Sequence, residues 1–205
     1  MPTETFFRLN QPKQERIMNA VKDEITRSSY EDFSIGNVVK ESGISRGSFY
    51  QYFHSKDDIY RYLLEEYRTD IQQYARKSIS DNGGDFFEML ESTFRFTARM
   101  LCYRDSKLFR YHLFCNRPML KLITLQGDCF SDDDKLFNLQ NIRAEINIDL
   151  LKFHDEDDLE KLFNICVLTA LRDLAGIFIF DDKEQYVIEN FLPKLELLRR
   201  AYCVA

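Results

Sequence analysis

Tryptophan is missing from this 205-residue chain, and no apolar run reaches the roughly 20 residues that a membrane span needs. The opening residues, MPTETFFRLN, lack the apolar core of a secretion signal, so the protein is expected to stay in the cytoplasm, with no membrane partner. Its cysteines, Cys102, Cys115, Cys129, Cys166 and Cys203, are odd in number and widely spaced, and no CxxC pair occurs. That excludes a disulfide framework and a cysteine zinc site, and a reduced setting fits best. The histidines at 54, 112 and 154 form no i, i+4 pair for a metal. Gly-rich phosphate loops and GxSxG elbows are absent, and carboxylate clusters such as Asp155–Asp158 fall at helix starts, where capping explains them. An enzyme is not expected, nor a metal or cofactor. Alternating strand patterns, repeats and low-complexity segments are missing too, which leaves an all-α fold.

Basic charge is also in short supply, with a net charge of −6. Residues 1–56 carry eight Lys/Arg and seven Asp/Glu, whereas residues 57–205 carry 20 and 27. The acidity thus lies in the C-terminal part. A head so mildly basic binds nonspecific DNA weakly, because that affinity scales with phosphates neutralised. It has to rely on positioned contacts and dimerisation.

What is present is concentrated in Ser34–Lys56, SIGNVVKESGISRGSFYQYFHSK. Ser34 is suited to cap one short helix, Ile35, Val38 and Val39 share a face, and Gly43 supplies the left-handed residue that ends it. Ser45 caps a second helix, from which Phe49 and Phe53, four apart, point into a small core. Ser55 opens a third helix, with Asp58 completing a capping box. The second helix leaves Arg46, Gly47, Ser48, Tyr50, Gln51 and Tyr52 exposed, followed by Lys56. Gly47 in a helix costs about 1 kcal/mol relative to Ala, a sacrifice that makes sense where a bulky partner approaches the backbone. Arg46 and Gln51 can make paired hydrogen bonds to base edges, and Ser48, Tyr50, Tyr52 and Lys56 are donors suited to phosphate. These features describe a helix-turn-helix whose second helix is dressed for the major groove.

The run GISRGSFYQYFHSKDDIY resembles the DNA-binding head of the tetracycline-repressor (TetR) family, over about the first 60 residues. The resemblance implies groove-facing positions for Ser45, Arg46, Gly47 and Gln51, and phosphate contacts for Ser34, Tyr50, Tyr52 and Lys56. Gly36 departs from members that carry a base-contacting side chain on the first helix of the motif.

Along the rest of the chain, residues 1–10 read as a mobile arm and Pro12 begins a helix to about Ser28, with Ile17, Val21 and Ile25 inward. Lys13 and Arg16 near its start are suited to phosphate or to solvent. An apolar stripe from Ile59 to Ile79 extends the third motif helix far beyond what the motif needs, until Asn82-Gly83-Gly84 ends it. Helices are expected at 85–104, 106–115, 132–153, 156–180 and 182–203, the last kinked at Pro193. LFNICVLTALRDLAGIFIF is apolar nearly all round, so the last two helices need a cover, which a homodimer paired through them as a four-helix bundle would supply.

Eighteen Phe and eleven Tyr suggest a ring-lined cavity for a small lipophilic effector. Its expected liners are Tyr67, Tyr74, Met89, Phe94, Phe96, Met100, Phe109 and Phe137. Were Arg95, Arg99, Arg143 or Arg172 to face inward, the ligand would be an anion; an unpaired buried carboxylate would instead select a lipophilic cation.

The expected architecture is therefore all-α with about nine helices. Residues 1–55 form a three-helix helix-turn-helix head, and residues 56–205 a helical ligand-binding and dimerisation domain. The expected function, in line with the family, is a dimeric regulator of transcription, a repressor released from a near-palindromic double-stranded DNA operator by its ligand. The alternatives are a ligand-independent DNA-binding regulator, or a small-molecule carrier or enzyme with a vestigial helix-turn-helix.

Overall fold

A computed structural model describes residues 1–114, 138–153, 155, 157–179 and 183–204. Among them are nine α-helices: α1 (Glu4–Phe7), α2 (Gln11–Arg27), α3 (Ile35–Ser42), α4 (Arg46–Tyr52), α5 (Lys56–Asp81), α6 (Phe86–Tyr103), α7 (Lys107–Phe114), α8 (Asp158–Ile179) and α9 (Glu184–Tyr202). Extended pairing among the described residues is confined to one antiparallel bridge, Leu151 with Cys203. None of the described helices is long and apolar enough to cross a membrane.

The described chain divides into two compact units, residues 1–67 with 105–114, and residues 68–104 with 138–204. This division falls inside α5 rather than at residue 55, and it assigns α7 to the first unit. The reason is local. α7 lies along α2, His112 Nδ1 is 2.7 Å from the Ile25 carbonyl oxygen, and Asp105 accepts from Tyr67 Oη at 2.6 Å.

In the first unit Ile17, Val21 and Ile25 of α2 are fully buried with Val38, Phe49, Phe53 and Ile59, so the expected four-apart stripe forms the core. Residues 1–10 are not a mobile arm. α1 places Phe6 in that core, edge-on or tilted against Phe53, Tyr52 and Tyr62. Thr3 then caps the far end of α4, its amide donating to Tyr52 O at 2.9 Å and its hydroxyl to Gln51 O at 2.6 Å. Carbonyls at a helix C-terminus lack intrahelical donors, and here the N-terminal segment supplies two.

In the second unit Asp85 caps α6 through the Glu88 amide (2.9 Å) and takes an ion pair from Arg199 (3.0 Å). Asp173 and Lys194, 2.7 Å apart, tie α8 to α9. Pro193 lies within α9, which continues past it. The described part of the expected 132–153 helix is instead three 3-10 turns, Leu139–Asn141, Arg143–Glu145 and Ile148–Leu150. Asn138 and Asn147 start two of them by accepting from the amides two residues on, the competition with helical bonding typical of asparagine. Gly84, at φ +88°, receives this segment: the Asn147 amide donates to its carbonyl at 3.0 Å, and a Cβ there would lie 2.7 Å from that nitrogen. Residues 132–137, and with them Phe137, lie outside the described residues.

Candidate nucleic-acid interface and ligand cleft

The turn between α3 and α4 is built as its residues dictate. Ser34 Oγ accepts from the Asn37 amide (3.3 Å), Ser45 Oγ from the Ser48 amide (3.0 Å), and Gly43 stands at φ +66°. Before α5, Ser55 Oγ accepts from the Asp57 amide and Asp58 reaches back to the His54 amide, one residue earlier than a regular capping box. Two contacts that sequence reasoning missed hold α3 against α2. Glu24, only 2% exposed, accepts from the Ser34 amide (2.9 Å), from Asn37 Nδ2 (3.1 Å) and from Arg27. At the other end of α3, Arg16 Nε donates to Ser42 O at 2.9 Å, so this guanidinium is a helix cap as well as a surface charge. Glu24 was legible in outline, as a carboxylate on the same helical face as Ile17, Ala20 and Val21.

On α4 the structure leaves Ser45, Arg46, Gly47, Tyr50 and Gln51 exposed together, with Ser48 half-buried beside Ser45. The Arg46 guanidinium lies 5.9 Å from the Tyr50 ring centre. At Gly47 the only atom near a would-be Cβ is Ser45 Oγ at 3.8 Å, so the chain's own packing does not require the glycine. Gly36 is exposed as well and brings no side chain to the surface. Two expected phosphate donors make contacts within the chain. Tyr52 is 5% exposed, its ring against Phe6 and 5.6 Å below Lys13 Nζ. Lys56 Nζ donates to Tyr30 O at 2.6 Å and sits 4.2 Å from the Tyr30 ring centre. The expected exposure of Tyr52 is thus not observed, because alternation along a short polar helix does not reveal what α1 lays over its end; Lys56 remains half-buried beside the α2–α3 loop. Tyr30 itself hydrogen-bonds Asp57; burial and that carboxylate push its hydroxyl up to about 12.

The second unit contains a narrow, half-open cleft with a cavity volume of about 50 Å³. Ile71 of α5, Leu90, Thr93, Phe94 and Thr97 of α6, five residues of α8 and Phe191 of α9 line it. Of the expected liners among the described residues, only Phe94 is there. Its ring stacks on Phe191 at 3.9 Å, and Tyr74 stacks likewise on Phe96 at 4.2 Å. Met89 and Met100 are buried outside the cleft wall, while Tyr67 and Phe109 belong to the first unit. Rings that satisfy one another fill space, and the gap is left among aliphatic and small side chains. The arginines do not turn inward either: Arg95 pairs with Glu91 at the surface, Arg99 and Arg172 are exposed, and Arg143 lies in a 3-10 turn away from the cleft. Burial pushes the Cys166 thiol on the cleft wall up to about 12, so it remains protonated.

Comparison with known proteins assigns both parts. Residues 17–63 match the model described as bacterial regulatory proteins of the tetR family, and residues 85–200 match the tetracyclin repressor-like C-terminal domain. The chain belongs to the TetR family. It is 29% identical over 188 residues to the uncharacterized HTH-type transcriptional regulator YvdT of Bacillus subtilis, covering 87% of this chain and 91% of that one. The HTH-type regulator YdgC of the same organism is 23% identical over 171 residues, 80% of each chain. A putative TetR-family transcriptional regulator from Syntrophomonas wolfei has the same fold, with a TM-score of 0.64 at 18% identity over 93% of this chain and 96% of that one. This TetR-family chain is accordingly a helix-turn-helix transcriptional regulator, with α3 and α4 as the motif.

Proposed function

We propose that the protein is a homodimeric repressor, released from a near-palindromic operator by a small lipophilic ligand. The observation that carries the reading is the surface of α4, where Arg46, Gly47, Tyr50 and Gln51 stand exposed together on a rigidly capped helix. A dimer sets two such helices into successive major grooves about 34 Å apart, Arg46 and Gln51 reading base edges beside the groove-facing Ser45 and Gly47 while Ser34 and Tyr50 meet the backbone. Exposed apolar residues on the last two helices, Ile165, Leu168, Tyr186 and Leu197 (69% exposed), support dimerisation through them. The apolar cleft supports a ligand-responsive protein over a ligand-independent one. Ligand bound there shifts α5 and spreads the two heads, so that ligand and operator oppose each other reciprocally.

The test is a mobility-shift assay on the DNA flanking the protein's own gene, repeated with a panel of lipophilic compounds, beside sedimentation at micromolar concentration. A shifted band abolished by one compound class, from a sedimenting dimer, is the expected result. A monomer, or a chain that binds no duplex at low salt, overturns the reading.

A further inference from the structure

The cleft constrains the chemistry of its occupant, an inference that rests on the ligand-responsive reading above. Among the described residues that line it none is charged, and the polar ones are Thr93, Thr97 and Cys166. Thr97 spends its hydroxyl on the Thr93 carbonyl at 2.8 Å. The Thr93 hydroxyl is different: it is buried without a hydrogen-bond partner, in a residue 6% exposed on the cleft wall. Helical threonines usually return such a hydroxyl to the carbonyl one turn back, and at that carbonyl the Ser92 hydroxyl donates instead, at 3.0 Å from Met89 O. The charges tying this unit together are already paired, Lys194 with Asp173 and Arg199 with Asp85. An ion entering the cleft would shed its hydration and meet no counter-charge among the described lining residues, whereas a neutral chain would exchange water for the walls of Ile71, Leu90, Val167 and Leu171.

We propose that the cleft takes an uncharged, mainly aliphatic small molecule with one hydrogen-bonding group, which partners the Thr93 hydroxyl. Carboxylates and ammonium ions of the same carbon skeleton find no counter-charge among the described lining residues and bind more weakly, and Thr93 selects a hydroxyl or carbonyl over a plain hydrocarbon.

Calorimetric titration of the full chain with 1-octanol, octanoate and octylammonium near neutral pH holds the skeleton constant and varies only charge. The expected result is saturable 1-octanol binding at least about tenfold tighter than either ion. Thr93→Val should weaken it several-fold, and Leu171→Phe, which fills the cleft, should abolish it, both variants first shown by circular dichroism to melt cooperatively. Equal or tighter binding of either ion, no saturable heat with 1-octanol, or indifference to either substitution overturns the proposal. Operator release is measured separately. Binding of 1-octanol that depends on Thr93 but releases no DNA upholds the cleft's chemistry and defeats ligand-controlled release. Release by another compound from a protein that binds no 1-octanol does the reverse.

Discussion

The two units of this protein are held together by different kinds of interaction. In the first, polar contacts tie one element to the next, Glu24 on the Ser34 amide and Asn37, Arg16 on Ser42, and Thr3 on the end of α4, although the Tyr60 hydroxyl is buried without a hydrogen bond. In the second, the interior is apolar, its ion pairs lie at the edges, and a gap remains between α6 and α8. Directional bonds fix angles, as a helix that must meet base edges in register requires. Apolar packing depends on area far more than on direction, so it tolerates a cleft able to accept a guest.

That contrast can be broken at several points. The largest effect is expected from Phe191→Ala, which empties the ring stacked on Phe94 and should cost about 3–5 kcal/mol in chemical denaturation. Operator affinity of the molecules that remain folded should hardly change. Glu24→Ala should cost about 2–3 kcal/mol, because it strands the Ser34 amide and the Asn37 amide group where water reaches them poorly. Unlike Phe191→Ala it should also weaken operator binding, through the loosened start of α3; unchanged affinity would show that the bracket serves stability alone. Arg46→Ala should leave the melting curve within about 0.5 kcal/mol of the parent, since the side chain is exposed. It should cost about 1–3 kcal/mol of operator binding and relax specificity at one base step, measured on a set of single-base operator variants. Uniform weakening at every sequence would mean that Arg46 holds phosphate.

The smallest effect separates the units by alkali. A group whose pKa is raised by folding contributes stability that is complete below its ordinary value and lost as pH climbs through the raised one. For Cys166, raised by burial, loss begins near pH 9 and runs to about 12; for Tyr30, raised by burial and Asp57, it begins near pH 10 and runs to about 12. The second unit should therefore weaken first. Cys166→Ala should flatten the earlier part of the stability–pH slope, and Tyr30→Phe the later part, as read from urea midpoints.

The head was legible because its signals are local. Ser34, Gly43 and Ser45 each act on an amide or a dihedral within three residues, and all three do in the structure what their residue types suggest. Tyr52 and Lys56 were not legible, since their surroundings come from Phe6 and Tyr30, 46 and 26 residues away. The helices of the second unit followed from their apolar periodicity, apart from 138–153, where asparagines and Gly84 divert the chain into short turns. The cleft was hidden more thoroughly. Ring content shows how much volume is filled but not where filling fails, and that depends on how Thr93, Ala170 and Leu174 happen to face one another.

One glycine carries a further lesson for relatives of this protein. Because even a methyl group on residue 84 would collide with the turn at 145–147, that turn and the bare backbone beneath it form a matched pair. A homologue with any larger residue at this place must route its chain between the seventh and eighth helices along another path, so a single letter in an alignment sorts the family by the course of that connection.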